Sequence, residues 1–355
     1  MKILFFTKYS RKGASSRYRT YQYLDYFRQH GVEAYVSPLL GDEYLANLYS
    51  GRRASKLYLL KSSSKRVVDI FKAGEYDLVV VEYELFPHVP PLFEFLLHLV
   101  NKNITTDYDD AVFANYQDNP LLKRKIPTVM RLSKTVNVGN QHLADYAREF
   151  NPNVNLIPTV VDLDKYKLKD TYEITGNKVV IGWIGTPITS KYLLEIQGAL
   201  SKLSQVYPIS LRCIGTSPDF AMNGIKVENM KWNESTEVDD ILTFDIGIMP
   251  LTDDSFARGK CGLKLIQYMA CGIPSVASPV GVNIDIIQDG INGFLASSSN
   301  EWVDKIALLI EDVQLRERIG RGARRTVVNK YSLQVIAPKL LKIYKGVAQE
   351  AMKER

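Results

Sequence analysis

PLTDDSFARGKCGLKLIQYMACGIPSVASPVGVN, residues Pro250–Asn283, changes its local grammar several times within one short span. Pro250-Leu251 ends an apolar run, Thr252 to Asp254 form an acidic loop, and Arg258 to Gly262 form a basic, glycine-containing turn. Leu263 to Ala270 then reads as a buried helix, and PSVASP (Pro274–Pro279) as the next strand. Strand, turn, helix and strand at this spacing form the repeating unit of a parallel α/β sheet. The helix opens behind Gly259 and Gly262, where unpaired backbone N–H groups and a partial positive charge suit a phosphate. Arg258, Lys260 and Lys264 crowd three cations around that turn. Cations at a helix start oppose the macrodipole, a local cost that an anion bound there offsets.

Working outward, the same grammar recurs on both sides. KVVIGWIG (Lys178–Gly185), ISLRCIG (Ile209–Gly215) and DIGIMPL (Asp245–Leu251) are further strands, with a helical pattern at Lys191 to Tyr207. Upstream, KILFFT (Lys2–Thr7), VEAYVSPL (Val32–Leu39), DLVVVEY (Asp77–Tyr83) and the end of TVMRLSKTVNVGN (Thr128–Asn140) read as strands, with a helix from about Tyr18 to Gln29. These patterns predict an α/β chain of two Rossmann-like, doubly wound domains facing across a cleft. Strand and helix signals lapse between Leu168 and Asn177, which sets the expected domains at 1–168 and 169–334. An amphipathic helix over about 335–355, with Val335, Ile336, Leu340, Leu341 and Tyr344 as its apolar stripe, is expected to cross back to the first domain.

The 355 residues suffice for two cores, and 46% hydrophobic with 24% charged residues is the balance of a globular protein. Three cysteines (Cys213, Cys261, Cys271) and four scattered histidines match no metal-ligand spacing and fit a reducing compartment. The opening apolar run is too short for a secretory signal, and the run near Leu92 to Val100 is too short to span a bilayer. A cytoplasmic protein is therefore expected, associated at most with the inner face of the cytoplasmic membrane. The net charge of +6 is uneven: residues 1–75 carry 14 basic side chains against 6 acidic ones. Such a face suits an anionic surface. No nucleic-acid motif accompanies it, so an anionic membrane is favoured over nucleic acid.

RGKCGLKLIQYMACGIPSVASPVGVN resembles the donor-binding signature of the retaining family 4 glycosyltransferases, in a bacterial surface-polysaccharide type branch. LIPTVVDLDKY (Leu156–Tyr166), IGWIGTPITSKYL (Ile181–Leu193), FDIGIMPL (Phe244–Leu251), GASSRYR (Gly13–Arg19), DYDDAVF (Asp107–Phe113) and VGNQHLADYA (Val138–Ala147) are similar to further pieces of that branch, in order. The resemblance implies the GT-B fold and sugar transfer, with retained configuration, from a nucleotide-diphosphate donor (UDP-sugar favoured) to a glycan or lipid-linked acceptor. It also marks departures. Where the family carries two glutamates, this chain has Gly259 and Gln267; Gln267 retains hydrogen bonds for ribose, and Asp253 or Asp254 is the nearest acid for the sugar. The family's diphosphate-binding Arg and Lys fall on Thr186, next to Gly185, and on Lys191, leaving Arg258 and Lys264 as replacement cations around Gly262 and Leu263.

In the first half, the loop Gly13 to Arg17 offers small residues for close approach, with Arg17 and Arg19 able to reach the diphosphate and Ser16 beside Arg17 in the expected donor-binding set; it is not GxGxxG, against a dinucleotide cofactor. Glu82, Glu84 and His88 follow a strand's carboxyl end, where α/β sites form, although a lone loop histidine is often only structural. Asp109 and Asp110 either orient an acceptor hydroxyl or cap the following helix. The resemblance implies that the leaving diphosphate itself helps deprotonate the acceptor, and Arg258 and Lys264 are expected to stabilise its charge. Asp110, His88 and Glu84 complete the expected catalytic set, with no metal and no cofactor. Arg52 to Gly74 joins basic and apolar side chains into a face for an anionic leaflet, or an ordinary sheet-packed helix. The alternatives are a catalytically impaired partner subunit and a nucleotide-sugar epimerase.

Overall fold

The computed structural model describes residues 1–174 and 176–353. Thr175, in the expected domain boundary, and positions 354–355, at the end of the expected C-terminal helix, lie outside the described residues. The chain forms two compact units. One comprises Met1–Thr159, Gly259–Cys261 and Ile336–Arg355, the other Val160–Arg258 and Gly262–Val335.

The first unit is built on a sheet of β1 (Lys2–Tyr9), β2 (Glu33–Leu40), β3 (Leu78–Glu82), β4 (Ile104–Tyr108), β5 (Thr135–Val138) and β6 (Val154–Leu156). All pairs are parallel, in the order β2-β1-β3-β4-β5-β6, with Phe5 opposite Val80 and Asp107 opposite Asn137. Every residue of β3 and of β4 is buried, as required of a parallel sheet covered by helices on both faces. The C-terminal helix Leu333–Lys353 buries Ile336, Leu340, Leu341 and Tyr344, and the Tyr344 ring packs edge-on to Phe5 and Phe27.

The second unit holds β7 (Val179–Ile184), β8 (Ile209–Ile214), β9 (Val227–Met230), β10 (Ile246–Met249), β11 (Ser275–Ala277) and β12 (Phe294–Leu295). Their order is β12-β11-β10-β7-β8-β9, again all parallel. Counted from β7, this is the 3-2-1-4-5-6 order of the dinucleotide-binding sheet, wound here without a GxGxxG turn. Its core gathers Trp183, Leu193, Leu200, Ile246, Ile248 and Trp302.

The two doubly wound parallel sheets are those predicted. The expected Tyr18–Gln29 helix is broken into Ala14–Arg19, a 3₁₀ turn Tyr21–Tyr23, and Leu24–Gln29. The break follows Arg19, whose guanidinium turns inward to Asp107 at 2.7 Å and to the Ile157 carbonyl at 2.7 Å. Lys191–Tyr207 likewise divides into a 3₁₀ segment, Ser190–Ile196, and a helix, Gln197–Val206. The sheet edges β6, β9 and β12 were not anticipated, being short.

Candidate active site

In open α/β sheets, ligands collect beyond the strand carboxyl ends where the winding reverses. In the second sheet that point lies between β7 and β10. Gly185 and Thr186 follow β7, and the Thr186 N–H donates to Thr189 Oγ1 at 3.1 Å, tightening the turn toward Lys191. Gly262, at φ +70°, opens the helix Leu263–Ala270; this left-handed turn is where glycine has no Cβ penalty. Lys264 Nζ lies 5.1 Å over the Trp183 ring. A Cβ at Gly185 would come within 2.9 Å of Lys264 Cε, so the absence of a side chain there admits the lysine. Gly185, Lys264 and the helix start thus come together in one corner, which combines backbone donors with a cation.

The neighbouring expected residues have other partners. Asp254 caps the short helix Ser255–Arg258 by accepting from the Ala257 N–H at 2.8 Å. The Thr252 hydroxyl, then the Ala257 N–H, holds its carboxyl below the usual range, with Lys191 adding to the effect. Arg258 is exposed and grips Asp253 at 2.6 and 3.0 Å. Gln267 is buried, and its amide donates to the Tyr166 hydroxyl at 3.0 Å. Tyr166 in turn donates to Glu237 at 3.2 Å, which also accepts from the Trp232 indole. Sequence reading missed Tyr166, Glu237 and Trp232 as partners; the tyrosine was visible only as the end of LIPTVVDLDKY.

The first sheet reverses between β1 and β3. Ser16 Oγ donates to Glu82 Oε2 at 2.7 Å, and the Lys8 N–H adds a bond at 3.2 Å. Burial pushes the Glu82 carboxyl up to about 8 against the Ser16 bond, so at neutral pH it is mostly protonated. Arg17 is also buried, its guanidinium 4.8 Å from the Tyr18 ring centre. Tyr83 directly follows β3 with φ +60°, a left-handed backbone that costs a non-glycine residue about 1–2 kcal/mol. Its hydroxyl donates to Asp109 and lies 3.1 Å from the Ser15 hydroxyl. Burial, reinforced by Asp110, lifts Asp109 to about 6, against the pull of Arg19 and the Tyr83 bond. Asp110 lies 3.8 Å from Lys260.

Glu84 and His88 belong to a different cluster. Buried Lys125 contacts Glu84 at 2.6 Å, Tyr116 donates to Glu84 at 2.7 Å, and the His88 N–H donates to Tyr116 at 3.1 Å. His88 also has a left-handed backbone, φ +61°, and its ring stands edge-on to Tyr116. Tyr83, Tyr116 and Lys125 escaped sequence reading because neither a positive φ nor a long-range partner has a local signal. Gly259 has a steric explanation: a Cβ there would collide with Ala111, lying 2.8 Å from its backbone nitrogen. The family's glutamate therefore has no room with this backbone. Among the described residues, no group of three or more His, Cys, Asp or Glu is arranged to hold a metal ion.

Residues 178–312 match the family described as glycosyl transferases group 1. The chain is 28% identical over 202 residues to the capsular polysaccharide biosynthesis glycosyltransferase CapM of Staphylococcus aureus, covering 53% of this chain and 52% of CapM. It is 24% identical over 197 residues to N-acetyl-alpha-D-glucosaminyl L-malate synthase of Bacillus anthracis, covering 53% and 50%. The chain thus spans about half the length of the curated relatives it matches. Among solved structures, a glycosyltransferase from Rickettsia africae ESF-5 superposes with a TM-score of 0.69 at 18% identity over 98% of both chains. Anabaena Alr3699/HepE in complex with UDP and glucose gives 0.71 at 16% identity, over 98% of this chain and 100% of that one. At such identities the superpositions establish the fold, and the family match relates residues 178–312 to the glycosyl transferases group 1. Two doubly wound parallel sheets give the chain the GT-B fold, and residues 178–312 are similar to the glycosyl transferases group 1.

Proposed function

We propose that this chain transfers a sugar, with retention of configuration, from a nucleoside diphosphate donor to a hydroxyl of a glycan or lipid-linked acceptor. A UDP-sugar is the favoured donor, and bacterial cell-surface polysaccharide or glycan synthesis the setting. The observation that carries the reading is the corner where Lys264 meets Gly185 at the start of Leu263–Ala270. There a diphosphate finds N–H donors and a cation, and the same groups stabilise it better as it leaves. Thr186 adds a hydroxyl and Lys191 a second cation after β7, whereas Arg258, expected there from the sequence, is paired with Asp253. Asp109 and Asp110 are the acceptor-side carboxylates, with Asp109 raised toward neutrality. No metal or cofactor enters the proposed reaction. HepE has also been solved with UDP-glucose, and a Staphylococcus aureus TarM variant with UDP and alpha-GlcNAc-glycerol, which lends support to a UDP donor.

A membrane-apposed acceptor is supported by the helix Lys56–Phe71. Arg66 and Ile70 point inward, while Leu57 (74% exposed), Leu60 (65%), Val68 and Phe71 (61%) form a stripe in solvent at helical spacing, with Lys61, Lys65 and Lys72 also exposed. Leu92, Phe95 and Leu99 form a similar exposed stripe on the adjacent helix Leu92–Val100. Apolar side chains with lysines and few acids suit the inner face of an anionic cytoplasmic membrane. Among the described residues, no helix is long and apolar enough to cross one.

Gly259 and buried Gln267, standing where the family has glutamates, favour a second reading, a partner subunit that binds donor without turning it over. Thermal shifts with UDP-, GDP-, CDP- and dTDP-sugars, followed by product analysis for transfer and epimer formation, separate these outcomes. Transfer that disappears in Lys264→Ala supports the proposal. Binding without turnover supports the partner subunit, epimer formation supports an epimerase, and failure to bind any nucleotide sugar ends the proposal.

A further inference from the structure

Trp232 is reached from the donor corner by two separate routes, both inside the second unit. The first runs across the strand ends. The Gly185 N–H donates to the Ile214 carbonyl at 2.9 Å and the Gly215 N–H to the Met230 carbonyl at 2.8 Å, so the ladder continues past the last residues of β7 and β8. A Cβ at Gly215 would collide with the Gly185 carbonyl oxygen and lie 3.4 Å from Trp232 Cβ. The indole therefore starts beside Gly215, which lies against Gly185, which in turn admits Lys264.

The second route follows hydrogen bonds. Gln267 stands one helical turn after Lys264, on the same face of Leu263–Ala270. Its amide reaches Tyr166, Tyr166 reaches Glu237 Oε1, and the Trp232 indole N–H donates to Glu237 Oε2 at 2.5 Å. Glu237 is buried, so both of its oxygens are spent on holding neighbours. An indole has a single N–H, and bonding it fixes how the ring is turned.

Trp183 and Trp302 fill the core of this unit, whereas Trp232 keeps part of its surface exposed. A partly exposed ring held in one orientation offers an aromatic face, with its polar edge already satisfied. Adjacent strands lie about 4.8 Å apart, so the ends of β7 and β9 are about 10 Å apart, a gap that a ribose and the edge of a base can span.

We infer that Trp232 is a specificity-determining residue of the donor site, its ring the wall on which the base of a nucleoside diphosphate stacks while the phosphates lie at Lys264. Glu237 and Tyr166 are positioning residues that hold that ring. The inference rests on the donor reading above and deepens it.

Trp232→Leu keeps an apolar side chain without a ring, and Trp232→Phe keeps a ring without the N–H. Calorimetric titrations with UDP, GDP, CDP, dTDP and inorganic pyrophosphate separate the base from the phosphates. For the nucleotide that the parent protein binds, Trp232→Leu should lose about 5- to 150-fold in affinity, the range of base–aromatic stacking, and Trp232→Phe should lose less. Pyrophosphate has no base and should bind the parent and both variants alike. A second measurement needs no variant: the nucleotide should quench the indole emission of the parent protein, and pyrophosphate should not, because Trp183 and Trp302 are buried. Undiminished nucleotide affinity in Trp232→Leu overturns the inference. An equal loss of nucleotide and pyrophosphate affinity also overturns it, because the side chain then supports the fold and not the base. Parent emission that the bound nucleotide leaves unchanged overturns it as well. In these three cases the parent still binds nucleotide and the donor reading stands, whereas a parent that binds neither nucleotide nor pyrophosphate refutes the donor reading and the inference with it.

Discussion

Ser16 Oγ lies 2.7 Å from Glu82 Oε2, with both side chains buried where the first sheet reverses its winding. The carboxyl is the end of β3 and the hydroxyl belongs to the helix after β1, so one bond ties the two segments that flank the switch point. Because burial raises the Glu82 pKa from its ordinary 4.5 to about 8, the folded protein holds a proton that the unfolded chain has already released. Stability contributed by this group is complete below about pH 4.5, falls as pH rises, and reaches its floor above about pH 8. The slope is at most about 1.4 kcal/mol per pH unit. Glu82→Gln, an uncharged mimic of the protonated acid, should flatten it. Urea midpoints measured from pH 5 to pH 8 check this, and an unchanged slope in the variant would show that Glu82 is ionised.

Arg19 and Asp107 form a bidentate ion pair with both side chains almost wholly buried. Asp107→Ala should cost about 3–5 kcal/mol, because it leaves the guanidinium buried without its counter-charge. The double variant Arg19→Met/Asp107→Leu should recover much of that loss. Chemical denaturation of the three proteins tests the point, which fails if the single and double variants are equally unstable.

Restoring the family glutamate should damage this protein. Gly259→Glu forces a Cβ against Ala111, an overpacking effect worth about 1–3 kcal/mol. We expect a lower melting temperature and no gain in sugar transfer. A Gly259→Glu protein that melts as the parent does and transfers faster would contradict this.

Lys264→Ala should weaken nucleotide-sugar binding about 10- to 100-fold, the range of a charge-assisted contact, and Lys264→Arg should retain part of the affinity. Titration calorimetry at two salt concentrations provides the check. Equal affinity in the parent and Lys264→Ala would remove the lysine from the site.

Leu60→Ser/Phe71→Ser should reduce sedimentation with anionic vesicles by more than about tenfold, since each inserted apolar side chain contributes about 1.5–3 kcal/mol. Lys61→Glu should act more mildly and mainly at low salt. If these variants bind vesicles as the parent does, the exposed stripe has another use, such as a protein partner.

Much of this architecture was legible because parallel strands buried on both faces are written as unbroken apolar runs. Val79 to Val81 and Ile246 to Ile248 announce themselves, and the helix Leu263–Ala270 falls where its glycines place it. Edge strands bury only one side, so Val227–Met230 carries polar residues and no clear period. The turn from Arg258 to Gly262 and the helix behind it were legible for the same local reason, being adjacent in sequence. The partners of Gln267 and Asn140 were not, because Tyr166 lies 101 residues from one and Gly259 119 residues from the other. Pairings over such separations are decided by packing, of which a single sequence carries no local trace.

Each sheet is completed by strands that are consecutive in the chain, β1 to β6 and then β7 to β12. A single recombination crossover between Leu156 and Val179 would therefore exchange a whole sheet between homologues without cutting any strand ladder. It would also strand the C-terminal helix, whose Tyr344 packs on Phe5 and Phe27, with the wrong parent. A functional chimera of this architecture accordingly needs a second junction, near Ser332 to Ile336, so that the first sheet and this helix are inherited together.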